Sequence, residues 1–504
     1  MRTRGVVGVA LLATVLVSGA CSKSSSTSTD DPTSPTSARG YTPAWTDGPC
    51  ATAVPDGLKV TCGTLTVPEN RSKPAGRQVK LAVVRLHSLS ARPEADPIVY
   101  LHGGPGSGTL RNGLSRWTRS RWLERRDIIV LDQRGVGRSE PSLECPERER
   151  AFMKALAMPN DFKGQLAMFD TATRQCYDRL SGEGIDLGRY NTTNNAADIA
   201  DLRTALGIAK WNLYGVSYGT RLALVVMRNH PQGVRSVILD SVYPPSTASA
   251  RSNVDSGTRA FDALANGCAT DPKCHAKYPD LKGDVERLAA ELDTHPFAMD
   301  YTDPTTGVSE TLHLDGNDAV GGLFNALYDT DLIPQLPSAI HDMANGGRGL
   351  IPLIAQEAIP FVNDMTEGAF LSTECADNGA RVRRSDVDAL RSDPGRASLP
   401  LLASWNLVCR DWPVTTEPKS FGDVVHSSIP TLVISGEYDP ITPPSDSKAV
   451  ANALSDAEFI SVPHGGHGPG PDTPCTQGIM DKWFDELNRV DTSCAAAIVP
   501  SPFS

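Results

Sequence analysis

Ser217 lies in Gly215-Val216-Ser217-Tyr218-Gly219, between an apolar run (Trp211–Tyr214) and a helical pattern from Thr220 to about Met227. A serine hydroxyl becomes a nucleophile when a base takes its proton, and a sharp strand-to-helix turn flanked by glycines lifts it clear of a sheet. The helix that follows aims its positive end at the same place. The base has two candidates in Val462-Pro463-His464-Gly465-Gly466-His467-Gly468. Histidine titrates near neutral pH, and the glycines on both sides of His467 give it more room to reach Ser217 than His464 has. The acid that fixes the imidazole's tautomer also has two candidates at strand ends: Asp439, in Gly436-Glu437-Tyr438-Asp439-Pro440-Ile441-Thr442-Pro443, and Asp240, in Ile238-Leu239-Asp240-Ser241. A Gly/Pro-rich turn holds a carboxylate rigidly, which favours Asp439.

Acyl transfer also needs N–H donors for a developing oxyanion. Tyr100-Leu101-His102-Gly103-Gly104-Pro105-Gly106-Ser107-Gly108 follows the first buried strand and supplies a backbone that can approach a ligand. Gly104 in that loop and the N–H of Tyr218 are the expected pair, with His102 structural. The loop lacks the Lys-Ser/Thr ending of a nucleotide site. His464 and His467 have no third metal ligand nearby in sequence, so neither a metal nor an organic cofactor is expected.

The elements that carry these residues are legible as short apolar runs of the buried, parallel kind: Pro97–Leu101, Asp127–Leu131, Trp211–Tyr214, Val234–Leu239, Thr431–Ser435 and Glu458–Val462. Helical patterns at Ala196–Leu206, Asp446–Leu454 and Thr476–Leu487 lie between or after them. This alternation predicts an α/β fold with a mostly parallel central sheet. Leu58–Val67 and Gln78–Leu86 alternate, as an antiparallel pair at the edge would. Between about Tyr243 and Ser428 the rhythm breaks into helical patterns (Arg259–Ala265, Asp284–Leu292, Asp318–Leu327, Ile333–Met343). That span reads as a mainly helical cap over the nucleophile.

The N-terminus carries Arg2 and Arg4, an apolar run from Gly5 to Val17, then Ser18-Gly19-Ala20-Cys21. This is an export signal, too short to span a membrane. Cys21 is placed for acylation as a lipoprotein's first mature residue, and Ser22 onward is a Ser/Thr/Pro-rich tether. Two arginines leave with the signal, taking the formal charge from −11 to −13. An acidic chain with no basic cluster does not suit nucleic acid. Setting Cys21 aside, the even number of remaining cysteines fits an oxidising compartment. Their neighbours suggest Cys50–Cys62, Cys145–Cys176, Cys268–Cys274, Cys375–Cys409 and Cys475–Cys494.

The loop from His102 to Gly106, Asp132-Gln133-Arg134-Gly135-Val136-Gly137-Arg138-Ser139, Gly215–Gly219 and Gly436–Pro443 together resemble the motif set of the proline iminopeptidase group of α/β-hydrolases. Glu374-Cys375-Ala376-Asp377, Cys409-Arg410-Asp411-Trp412 and the Cys475…Cys494 tail resemble its secreted, tripeptidyl aminopeptidase-like members. The similarity runs from about Pro43 to Cys494. It implies an α/β-hydrolase fold and a serine aminopeptidase, tripeptidyl or prolyl aminopeptidase-like, releasing residues or short peptides from free N-termini through an acyl-enzyme. By position it implies Ser217, Asp439 and His467 as the triad, and acids near the cap for the substrate's ammonium, with Glu374 first and Asp377 second. Asp132 and Arg134 are expected to order the loop beside the oxyanion donors. The expected partners are short peptides, with a membrane touched only through a lipid on Cys21; the protein is expected at the cell surface or secreted. A carboxylesterase or lipase would use the same triad on small esters. The expected organisation is a signal peptide (1–20), tether (21–43), first part of the hydrolase core (44–244), helical cap (245–427) and C-terminal core (428–504).

Overall fold

Ile98–Leu101 and Ile128–Leu131 are apolar at every position, and every residue in both is buried. Such strands need cover on both faces, which an interior place between two helix layers provides. In the computed structural model, which describes residues 40–247, 249–302, 309–348, 365–379, 381, 385 and 408–504, they lie inside a nine-stranded sheet. The first half of the chain forms β1 (Ala44–Asp47), β2 (Val60–Pro68), β3 (Gln78–Leu86), β4 (Ile98–Leu101), β5 (Ile128–Leu131), α1 (Pro146–Leu156), α2 (Phe162–Gly182), α3 (Thr192–Ala205), β6 (Trp211–Val216), α4 (Tyr218–Asn229) and β7 (Val234–Asp240). An insertion follows: α5 (Ser249–Thr270), α6 (Pro272–Lys277), α7 (Leu281–Thr294), β8 (Phe297–Thr302), β9 (Ser309–Leu314), α8 (Gly316–Ala326), α9 (Leu336–Ala344) and α10 (Glu367–Asn378). The chain ends with β10 (Thr431–Gly436), α11 (Pro444–Ala453), β11 (Ala457–Val462) and α12 (Pro474–Glu486).

The sheet order is β1-β2-β3-β5-β4-β6-β7-β10-β11. From β5 to β11 all neighbours are parallel, whereas β1, β2 and β3 join antiparallel. Parallel strands send the loops after their carboxyl ends to one edge of the sheet, where open α/β folds bind ligands. The loops after β4, β6, β7, β10 and β11 therefore gather together, with β6 between β4 and β7.

Three features depart from the sequence reading. β1 lies outside the expected edge pair, placing Trp45 opposite Leu65. Pro146–Gly182, where no helix was anticipated, holds α1 and α2; their polar composition hides the apolar stripe. The expected helical cap contains a β8–β9 hairpin and is not one body. Ala260, Leu264, Leu288, Leu312, Leu323 and Ile340 form a second apolar cluster, joined by Leu156 of α1 and by Tyr438 and Phe503 of the C-terminal part. Ala369, Leu371 and Cys375 of α10, with Trp412 and Phe421, instead join the main core against Leu224 and Val225. Residues 365–378 and 412–421 are thus part of the hydrolase body.

Disulfides link Cys50–Cys62, Cys145–Cys176, Cys268–Cys274, Cys375–Cys409 and Cys475–Cys494. Each contributes a typical ~2–4 kcal/mol by restricting the unfolded chain. Among the described residues no helix is long and apolar enough to cross a membrane. Cys21 and the expected signal lie outside the described residues.

Candidate active site

β6 ends at Val216, and α4 begins one residue beyond Ser217. Ser217 holds φ 57°, ψ −127°, a conformation that costs a non-glycine residue energy and persists only where its surroundings enforce it. They do so here by close approach. A Cβ on Gly219 would overlap the carbonyl of Leu101, and one on Gly215 would lie 2.5 Å from the carbonyl oxygen of Gly219. Strand, turn and helix can meet this tightly only with glycine at both places. The Ser217 N–H donates to the Asp240 carbonyl (3.0 Å), tying the turn to β7. Ser217 itself is partly exposed.

The loop after β4 passes directly over this turn. A Cβ on Gly103 would lie 2.8 Å from Ser217 Cβ. The Gly103 N–H is already engaged by Nδ1 of His102 (2.7 Å), so Gly104 is the next donor along the loop. The Tyr218 N–H heads α4 and has no acceptor within its own helix. Burial, with Arg116 nearby, lowers the His102 pKa to about 4, so its neutral ring can accept from Gly103. Asp132 fastens the same loop: its carboxylate accepts from the N–H groups of Leu110 (2.9 Å) and Arg138 (2.8 Å). Arg134 makes a two-pronged pair with Asp198 (2.6 and 2.7 Å). Both act as braces.

On the far side, His467 Nδ1 lies 2.9 Å from Asp439 Oδ2. Asp439 is fully enclosed, yet its pKa is held below the ordinary value. Burial pushes it up, but His467, the Thr442 hydroxyl (2.6 Å) and the Thr442 N–H (2.8 Å) outweigh that. An ionised carboxylate only accepts, so Nδ1 carries the hydrogen and Nε2 of the neutral ring is left as the acceptor. Asp240, the rival acid, faces elsewhere: Oδ2 takes the N–H of Gly470 (3.1 Å) and the hydroxyl of Tyr214 (3.3 Å). His464 is stacked between Tyr438 and Phe503. Asp439 and His467 are thus bonded to each other, while Asp240 and His464 have partners of their own.

Glu374 and Asp377, both on α10, are buried. Glu374 accepts from the Tyr243 hydroxyl (3.2 Å) and the Asn378 amide (2.7 Å). Asp377 faces the interior, taking the Thr192 hydroxyl (2.5 Å) near Arg221 (3.6 Å). Burial raises its pKa to about 7 despite Arg221. Thr192 also meets the Tyr218 hydroxyl (2.8 Å), so Asp377 braces the elbow from behind and is closed to a substrate group.

Sequence reasoning missed two contributors. Thr442, within the Asp439 motif, bonds both Asp439 and, at 3.2 Å, His467 Nδ1. Tyr328, from the turn after α8, accepts the His467 N–H on its carbonyl (2.9 Å) and lays its ring 4.7 Å from the imidazole; nothing in its local sequence marks it. The one candidate metal grouping among the described residues is Cys145, Glu147 and Cys176. Its two sulfurs are bonded to each other, which leaves no thiolate to ligate an ion.

Comparison with known proteins finds similarity over most of the chain. The family described as alpha/beta hydrolase fold matches residues 96–297, and the family described as TAP-like protein matches residues 401–494. A tripeptidyl aminopeptidase of Streptomyces lividans is 26% identical over 479 residues, spanning 88% of this chain and 85% of that protein. Serine protease Hip1 of Mycobacterium bovis is 26% identical over 441 residues, covering 81% and 82%. A probable proline iminopeptidase of Leptolyngbya boryana is 29% identical over 168 residues, 32% of this chain and 38% of its own. With the parallel sheet, the strained serine turn and the matched regions, the chain has the α/β-hydrolase fold and is similar, over most of its length, to serine peptide hydrolases named tripeptidyl aminopeptidase and Hip1.

Proposed function

We propose that this protein is an exported serine aminopeptidase that removes short peptides from free peptide N-termini. Ser217 Oγ attacks the scissile carbonyl while His467 Nε2 takes its proton, and Asp439 stabilises the imidazolium that forms. The N–H groups of Gly104 and Tyr218 receive the oxyanion. His467 then protonates the leaving amine, and water releases the acyl group from Ser217 by the same steps in reverse. Glu374 is the proposed acceptor of the substrate's α-ammonium, held by Tyr243 and Asn378. Export is supported by the five disulfides, which persist in oxidising compartments. Cys21 is the proposed site of a lipid anchor.

The observation that carries the chemistry is the His467–Asp439 pair gathered with the strained Ser217 turn on one edge of the sheet. The similarity to a tripeptidyl aminopeptidase over most of the chain carries the substrate class. The test compares kcat/KM on a tripeptide amide reporter with a free α-amine against the same reporter acetylated, with a short-chain ester as reference. Strong preference for the free amine is expected, and Ser217→Ala should remove turnover by a factor on the order of 10⁶. Fast ester hydrolysis with both peptides poor would make the protein an esterase. Undiminished turnover by Ser217→Ala would remove the triad assignment.

A further inference from the structure

Thr366 immediately precedes α10 and is fully buried. A threonine in that place ordinarily turns its hydroxyl onto its own helix and caps a free N–H. Here the side chain makes no such bond. Its hydroxyl instead accepts from the Gly137 N–H (3.2 Å) and donates to Glu144 Oε1 (3.1 Å). Its N–H donates to the carbonyl of Gly106 (2.9 Å), two residues beyond Gly104. Ser107 and Met365 pair alongside as an isolated bridge. Glu144 in turn binds Arg111, which lies on the same loop as Gly104.

The fit at Gly106 is close. Its φ is +101°, and a Cβ there would lie 2.9 Å from the Thr366 carbonyl oxygen. One residue thus grips the Gly104 loop directly, reaches the Asp132–Ser139 loop through Gly137, and reaches Arg111 through Glu144. Oxyanion donors act by being fixed where charge develops, and small displacements are expensive in rate.

We propose that Thr366 is a positioning residue for the oxyanion hole: it trades the capping of its own helix for a clamp that fixes the Gly104 N–H relative to Ser217. The clamp rests on the assignment of Gly104 and Tyr218 as oxyanion donors, and is independent of the substrate class.

The test uses Thr366→Val, which keeps the shape and the N–H to Gly106 but removes the hydroxyl, and Thr366→Ser, which keeps the hydroxyl. Both are measured on the free-amine tripeptide reporter and on a short-chain nitrophenyl ester. Thr366→Val should lower kcat by about ten- to a hundredfold, the scale of a displaced or lost oxyanion donor, with KM nearly unchanged. Thr366→Ser should recover most of it. A peptidyl boronic acid, which mimics the tetrahedral state, should lose affinity in parallel with kcat/KM while the tripeptide product keeps its own. Unchanged kcat in Thr366→Val, no recovery in Thr366→Ser, or equal weakening of boronate and product would overturn the proposal. If Thr366→Val does not fold, Glu144→Ala at a half-buried position gives the second reading: a smaller fall in kcat at constant KM is expected, and an unchanged kcat overturns it. Wild-type turnover of the ester alone would reject the aminopeptidase reading and leave this comparison intact. Ester turnover that survives Ser217→Ala would reject the triad and the clamp together.

Discussion

Asp439 and Asp240 are both enclosed carboxylates at the ends of neighbouring strands, and their surroundings drive them apart. Asp439 is held ionised by His467 and Thr442. Asp240 is pushed to about 7 by burial and by Asp472, with only the Gly470 N–H, His467 and the Tyr214 hydroxyl opposing. Such separation assigns different tasks to like groups: Asp439 orients the imidazole, and Asp240, largely protonated below neutrality, anchors the loop after His467 through Gly470. The linkage has a definite sign. Unfolded, Asp240 would release its proton near ~3.9, whereas folded it does so near about 7. The folded state binds the extra proton in between, so this residue's contribution to stability is fully present below about 4 and falls as pH rises towards about 7. Asparagine cannot make that change. The Tm of Asp240→Asn relative to wild type should therefore rise with pH across this window and level off above it. A pH-independent difference would mean that Asp240 is ionised throughout. Asp439 works in the opposite sense, its stabilisation being lost as pH falls through its depressed pKa.

The elbow turns on a clash between local propensity and close approach. In an isolated helix Gly→Ala is favourable by about 1 kcal/mol, and Gly219 stands in the first turn of α4. A Cβ there would overlap the carbonyl of Leu101, and a backbone carbonyl of a central strand cannot move aside cheaply. Gly219→Ala should accordingly leave little folded protein, or a sharply lower Tm by circular dichroism, while Gly321→Ala, with nothing near its Cβ inside α8, should be tolerated. A wild-type Tm for Gly219→Ala would show that strand and helix do not meet this closely. The elbow was legible in the sequence because the constraint is local: both glycines and the serine fall within five residues. The buried strands were legible for a similar reason, since Ile98–Leu101 and Ile128–Leu131 are apolar throughout. α1, α2 and β1 were not, because their burial depends on distant partners. Arg148 of α1, for example, pairs with Glu367 of α10 (2.7 Å). The sequence placed Glu374 and Asp377 side by side but could not tell that Asp377 turns inward to Thr192. That distinction is made by α3 and α4, which lie far away in the chain.

At the scale of the molecule, the insertion between β7 and β10 is bonded to loops that carry the candidate site. Its chain reaches both sides of the site, at Thr366 beside the Gly104 loop and at Tyr328–Thr330 beside the His467 loop. The Thr330 hydroxyl accepts from the Gly466 N–H (3.0 Å) and bonds Asp472, while Tyr328 takes the N–H of His467 itself. The turn grows out of α8, whose Leu323 and Phe324 are buried in apolar clusters. The proposed base is therefore held partly by an element that packs in a second cluster, which meets the sheet's loops at Tyr438. If the insertion only governed access to the site, disturbing this turn would alter substrate binding and spare the chemical step. If it positions His467, the chemical step should suffer first. Thr330→Val removes the acceptor for Gly466 without touching Ser217, Asp439 or His467. It should reduce kcat several-fold at nearly constant KM, with only a small change in Tm because Thr330 is partly exposed and valine keeps its shape. An effect confined to KM would restrict the insertion to a gate, whereas the expected fall in kcat makes it part of the frame that holds the histidine over the serine.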